Sequence, residues 1–205
     1  MRALAAIFLA AAFSIPGFSQ ETNSPGHPAT WAVKLDRPGL PNLFQVTTNL
    51  YRGAQPTTEG TRQLKAMGVK TIINLRTFHS DREKITGTAL AGEHLKMEPW
   101  HVNEADVVRF LQIVSQTTNL PAFVHCARGA DRTGTMCAMY RIVCCGWTKQ
   151  EAIRELKEGG FGFNPAWQNL VNYIEHADIA ELKHKIEHGT QNQKTAKEDG
   201  NTASF

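Results

Sequence analysis

The run His125-Cys126-Ala127-Arg128-Gly129-Ala130-Asp131-Arg132-Thr133-Gly134 constrains this chain more than any other stretch. The apolar Pro121-Ala122-Phe123-Val124 precedes it and the helical-looking segment from Thr135 to Cys145 follows, so the order reads strand, tight loop, helix. Successive backbone N–H groups of a short turn that feeds a helix form a concave nest, and the helix dipole adds partial positive charge there. An oxyanion is the natural occupant, phosphate above all. Cys126 at the mouth of the nest is expected to be a thiolate at neutral pH, because the dipole and the Arg132 guanidinium both favour the charged sulfur. Arg132 has the planar fork that holds two equatorial oxygens at once, and Thr133 has a hydroxyl able to donate to the sulfur when it leaves. Ala127, Arg128, Gly129, Ala130 and Thr133 are the expected substrate-binding residues. A cysteine taken alone is usually just a small core hydrophobe; the joint pattern is what points to a nucleophile.

HCARGADRTG is similar to the signature loop of the cysteine-dependent protein tyrosine and dual-specificity phosphatases, and a second stretch agrees. Asn49-Leu50-Tyr51-Arg52-Gly53-Ala54-Gln55-Pro56, followed by Gly68-Val69-Lys70-Thr71-Ile72-Ile73-Asn74-Leu75-Arg76, resembles the amino-terminal half of the bacterial dual-specificity-like members, which are related to the atypical plant and fungal group. Together the stretches extend the resemblance from Leu43 to Ile174. It implies a phosphomonoester hydrolase in which Cys126 attacks phosphorus to form a cysteinyl phosphate and Arg132 binds the phosphoryl oxygens. It implies no metal and no cofactor. His125 is expected to support the loop through hydrogen bonds.

Family members usually carry an acidic aspartate roughly thirty residues before the nucleophile, but here that region reads Leu95-Lys96-Met97-Glu98-Pro99-Trp100-His101. Glu98, His101, Glu104 and Asp131 are the alternatives. Asp131 is the leading candidate because some bacterial relatives with a similar Asp-Arg-Thr-Gly ending are thought to use that aspartate. Its place beside a bound dianion also favours the protonated form that an acid needs.

With 205 residues, 41% of them apolar and 20% charged, the chain is long enough for one soluble domain with a sizeable core. A net charge of +3 is far from the dense basic stripes of a nucleic-acid binder. Met1 to Ser19 carries Arg2, an apolar run from Ala3 to Ala12, and small residues at Gly17 and Ser19. That pattern reads as a cleaved export signal, with the protein periplasmic or secreted and no stable membrane insertion afterwards. Residues 20–42, rich in proline and glycine, read as an extended leader, 43–182 as the phosphatase domain, and 183–205 as a disordered tail. Of the remaining cysteines, Cys137 and Cys144 stand two turns apart on one helix face and read as core residues rather than a disulfide. No zinc-ligand spacing is present.

Strands are expected at Leu43–Val46, Leu50–Arg52, Val69–Leu75 and His94–Met97. Helices are expected at Glu59–Met67 behind a Thr57 or Thr58 cap, at Asp81–Ala91, after the Asn103 cap, after the Thr148–Glu151 capping box, and after Asn164-Pro165. The aromatic loop Phe161-Gly162-Phe163 either borders the site or packs under the last helix; Arg76 either faces the pocket or is solvated. The alternation predicts an α/β fold in one domain, with a mainly parallel central sheet, helices on both faces, and the ligand loop at the carboxyl end of a strand. The resemblance implies a substrate that is a phosphorylated protein or a small phosphomonoester, inositol phosphates included. A rhodanese-like sulfurtransferase and a phospho-ligand-binding pseudophosphatase are the other classes to separate; oligomeric state is not legible.

Overall fold

A central strand, β6 (Ala122–His125), is buried along its whole length, and the molecule is assembled around it. In the computed structural model, which describes residue 28 and residues 30–200, the sheet order is β1-β2-β3-β6-β4-β5. The other strands are β1 (Val33–Lys34), β2 (Phe44–Thr47), β3 (Leu50–Gly53), β4 (Thr71–Asn74) and β5 (Ala91–His94). β3, β4 and β6 are mutually parallel, as is β5 with β4; the two pairings at the other edge are antiparallel. The expected mainly parallel sheet is therefore present.

Successive strand residues point to opposite faces. Ile72 and Phe123 join one apolar cluster with Leu64 of α1 (Thr58–Ala66) and Ile85 of α2 (Arg82–Ile85). Ile73 and Val124 join the larger cluster, with residues of α3 (Glu104–Ser115), α4 (Asp131–Cys145), α5 (Lys149–Glu158), α6 (Gln168–His176) and α7 (Ile179–Gly200). In α4 every residue from Thr133 to Ile142 is buried, so this helix shows no amphipathic stripe and lies at the centre of its layer. Caps hold as expected at Thr57, at Asn103, and in the reciprocal Thr148–Glu151 box.

Four expectations are corrected. The latter part of the leader is folded: β1 pairs with β2, Trp31, Leu35 and Leu40 are buried, and the Ala32 N–H donates to Glu155 Oε1 at 2.7 Å. The start of the expected tail is folded, because α7 buries Leu182 and Ile186 one turn apart and packs on α3, where Lys185 pairs with Glu104. The expected helix at Asp81–Ala91 shrinks to α2, since the chain turns left-handed at Gly87 and Ala89. The last strand therefore falls at Ala91–His94 rather than His94–Met97; as a largely exposed edge strand it has no apolar alternation, whereas Leu95 and Met97 are core residues beyond its end. The expected export signal, 1–19, lies outside the described residues, as do the leader's residues 20–27 and 29 and the tail beyond 200.

The register aligns Gly53, His125, Asn74 and His94 in one row across the sheet. The loops that follow these four residues leave from the same carboxyl edge, the edge where open α/β sheets bind ligands.

Candidate active site

From His125 the chain enters the loop of residues 126–130 and then α4. The shape of this loop is imposed from behind. Gln55 N–H donates to the Ala127 carbonyl at 3.3 Å and Asn42 Nδ2 to the Arg128 carbonyl at 3.0 Å. Arg52 Nη2 donates to the Gly129 carbonyl at 2.8 Å and to the Ala130 carbonyl at 3.3 Å. Four consecutive carbonyls are thus drawn backward. Because each peptide plane is rigid and trans, the N–H groups of the following residues turn forward, toward the mouth of the loop. Gly129 sits at φ +71, where a Cβ would strike the backbone carbonyl of Gly53, so only glycine permits this close approach. At the start of α4 no side chain caps the first turn. Its N–H groups therefore remain available to an anion.

Cys126 is 3% exposed at the base of this cradle. Burial, the largest influence, pushes its thiol up, but the Thr133 hydroxyl and N–H, the Arg132 guanidinium and the Arg128 N–H together outweigh it and hold the thiol below its ordinary range. Thr133 Oγ1 is fully buried, and its hydroxyl is among the groups that lower the Cys126 thiol. The other cysteines go the opposite way. Burial raises Cys137 to about 11 and also raises Cys145. All four are free; Cys137 is buried as expected, whereas Cys144 is exposed rather than a core residue. Removing the Thr133 hydroxyl should move the thiol toward ordinary behaviour. In Thr133→Val the pH at which iodoacetate alkylates Cys126 is expected to rise, and the acidic limb of kcat/KM to move to higher pH with it; alkylation profiles of both proteins measure this.

The Arg132 side chain reaches out of the first turn of α4 and Nη1 donates to the carbonyls of Leu75 at 3.3 Å and Met97 at 3.1 Å. These oxygens terminate the segments after β4 and β5, so three strand ends position one guanidinium. His125 supports the loop as expected: Nδ1 lies 3.2 Å from the Cys126 carbonyl oxygen, and Nε2 hydrogen-bonds Asp81 Oδ2 at 2.6 Å. Asp81 also accepts from Gln55 Nε2, and Gln55 Oε1 accepts from Arg76 Nη1 at 3.1 Å. The resulting chain, Arg76–Gln55–Asp81–His125, braces the strand end from which Cys126 projects. Arg76 is engaged in it rather than solvated. Burial raises the Asp81 carboxyl, yet its bonds to His125 and Gln55 and the charge of Lys84 bring it below its ordinary value, which holds it ionised and unsuited to acid catalysis.

Arg52, Asn42, Gln55 and Asp81 were not legible as site residues. Arg52 and Gln55 lie within the stretch that carries the family resemblance, but nothing local shows that they serve a loop more than 70 residues away in sequence. Phe161 is buried; its ring packs edge-on against Phe44 and stacks 3.7 Å from the Arg52 guanidinium, so the aromatic loop braces the site from behind.

Among the candidate acids, Asp131 is in the first turn of α4, with Oδ1 accepting from the Asn164 N–H at 2.8 Å. Glu98 directly follows Met97, whose carbonyl holds Arg132, and its backbone is bridged to His101. Glu104 is committed to Lys185.

Comparison with known proteins follows the same lines. The family model described as "DSP-PTPase phosphatase fused to NAD+ Kinase" matches residues 41–165. The dual specificity protein phosphatase TpbA of Pseudomonas aeruginosa is 33% identical over 187 residues, covering 91% of this chain and 84% of its own. The crystal structure of a TpbA variant in complex with phosphotyrosine superposes with a TM-score of 0.69 at 30% identity, over 81% of this chain and 99% of that one. The inositol diphosphatase DSP3 of Arabidopsis thaliana is 26% identical, over 69% of this chain and 72% of its own.

Proposed function

The chain belongs to the DSP-PTPase family of cysteine-dependent phosphatases and is a phosphoester hydrolase, and from that premise we propose that it acts in two steps through a phosphocysteine at Cys126, on phosphotyrosine in proteins. The Cys126 thiolate attacks phosphorus in line; the S–P bond forms as the P–O bond to the leaving group breaks, and Asp131 gives its proton to the departing oxygen. Water then attacks the phosphocysteine. Asp131 takes a proton from that water, inorganic phosphate leaves and the thiolate is restored. Arg132 and the forward-turned N–H groups of the loop hold the equatorial oxygens, where charge must be stabilised throughout.

One observation carries this reading: a thiol held below its ordinary range at the base of an anion cradle. A pocket that merely bound phosphate would gain nothing from an ionised sulfur, whose charge repels the ligand. The rhodanese-like alternative falls with the family match. Phosphotyrosine is supported by the TpbA complex. A second reading, an inositol phosphate, draws on the Arabidopsis relative and on the exposed Arg128 at the centre of the loop. Initial rates on phosphotyrosyl peptides and inositol polyphosphates at equal concentration separate the two, with the peptide expected to be preferred.

Asp131 as the acid is supported by its place immediately before Arg132 in the first turn of α4. An acid matters only when the leaving group needs a proton. In Asp131→Asn, kcat on an alkyl phosphate is expected to fall by ~100-fold or more, and hardly at all on an aryl ester with a highly acidic leaving group. Equal slowing of both, or of neither, would reassign the role to Glu98 or His101.

A further inference from the structure

Two large hydrophobic residues stand out as exposed among the described residues: Phe78 at 89% and Trp100 at 63%. Single exposed hydrophobics are ordinary on any surface. These two are not scattered. Phe78 lies in the loop after β4 and Trp100 in the loop after β5, both at the carboxyl edge of the sheet that carries Cys126.

The two loops are also fastened to each other and to the catalytic arginine. The Met97 carbonyl accepts from Thr77 Oγ1 at 3.3 Å and from Arg132 Nη1 at 3.1 Å, while the Leu75 carbonyl accepts from the same Nη1. Phe78 is the next residue after Thr77, and Trp100 follows Met97 by three positions. The Trp100 loop is held on its far side as well, where Asn169 Nδ2 donates to the Pro99 carbonyl at 3.1 Å. The aromatic side chains are thus exposed on backbones that the site itself ties down.

In-line displacement sends the leaving oxygen directly away from the attacking sulfur. With Cys126 at the base of the cradle, the leaving group exits through the mouth that these loops rim. We infer that Phe78 and Trp100 are specificity-determining residues that contact the aryl leaving group of a phosphotyrosyl substrate; this rests on the phosphatase reading above. A tyrosine ring gains offset-stacked or edge-to-face contacts there and the burial of apolar area. An alkyl or inositol leaving group, polar or small, gains little.

The test compares benzylphosphonate with methylphosphonate as competitive inhibitors, since the two share the phosphonate and differ in the ring, alongside kcat/KM on a phosphotyrosyl peptide. In the wild type benzylphosphonate is expected to bind more tightly. Phe78→Ala and Trp100→Ala should each shrink the ratio of the two inhibition constants by ~10-fold, with kcat/KM on the peptide falling in parallel through KM, and Trp100→Phe should restore most of the loss. An unchanged ratio in both alanine variants overturns the assignment. So does an unchanged ratio accompanied by lost binding to anionic phospholipid vesicles, which would make the aromatics a lipid-facing pair. A wild-type protein that turns over no phosphomonoester would fail the underlying phosphatase reading, a result distinct from either.

Discussion

Cys126→Ser is expected to lose at least ~10⁴-fold of kcat on an aryl phosphate, the scale on which nucleophile removal acts in covalent catalysis. A serine hydroxyl in the same place ionises far above neutral pH, and the donors that lower the sulfur's proton affinity, Thr133, Arg128 N–H and Arg132, cannot bring it within range. The anion cradle should survive the change. Its N–H groups are aimed by Gln55, Asn42 and Arg52 acting on the carbonyls behind them, and none of these contacts involves the sulfur. Titration calorimetry should therefore show the serine variant binding phosphotyrosine while turning over almost none. Substantial residual turnover would mean that the covalent route is wrong; lost binding would mean that the sulfur shapes the loop.

Replacing Arg52 should also have a large effect, though Arg52 touches no substrate. Its side chain is 1% exposed and holds the Gly129 and Ala130 carbonyls, with Phe161 stacked on the guanidinium. Burial lowers its pKa, but an arginine remains charged across any ordinary working range. Arg52→Met keeps much of the volume and removes both donors, leaving two buried carbonyls without that partner; roughly 2–4 kcal/mol of stability should be lost, measured as a lower urea midpoint. Activity per folded molecule should fall by ~100-fold, because a small misplacement of the loop N–H groups is enough to spoil transition-state alignment. Arg52→Lys should recover little, since one ammonium cannot span both carbonyls in a planar fork. A methionine variant with full activity would mean that the loop holds its shape unaided.

What could be read from the chain in advance divides along a physical line. Cys126, the helix behind it and Arg132 are contiguous, and what they can do depends on local geometry: a turn feeding a helix aims its own N–H groups. The capping box at Thr148 and the left-handed stop at Gly68 are local in the same sense. The supports of the loop are not. Arg52 reaches the loop only because β3 pairs in parallel with β6, setting Arg52 opposite Val124 and Gly53 opposite His125. Asp81 reaches His125 only because β4 lies on the other side of β6. The same limit explains the misplaced elements. Trp31 and Leu35 become core residues once a sheet edge exists for β1 to join, and α7 is ordered by Leu182 and Ile186 meeting α3 and α4, two residues too sparse to read as an apolar stripe. β5 is an exposed edge whose pairing with β4 leaves no trace in its composition.

The most direct measurement is to quench the enzyme in acid within milliseconds of mixing with a phosphotyrosyl peptide and to map covalent phosphate by mass spectrometry. A single phosphoryl group on the sulfur of Cys126, appearing as a burst and decaying at the steady-state rate, is the expected result. It should persist longer in Asp131→Asn, which removes the base proposed for the water that releases it. Turnover with no phosphoryl group on Cys126 at any time, or one on another residue, would contradict the mechanism.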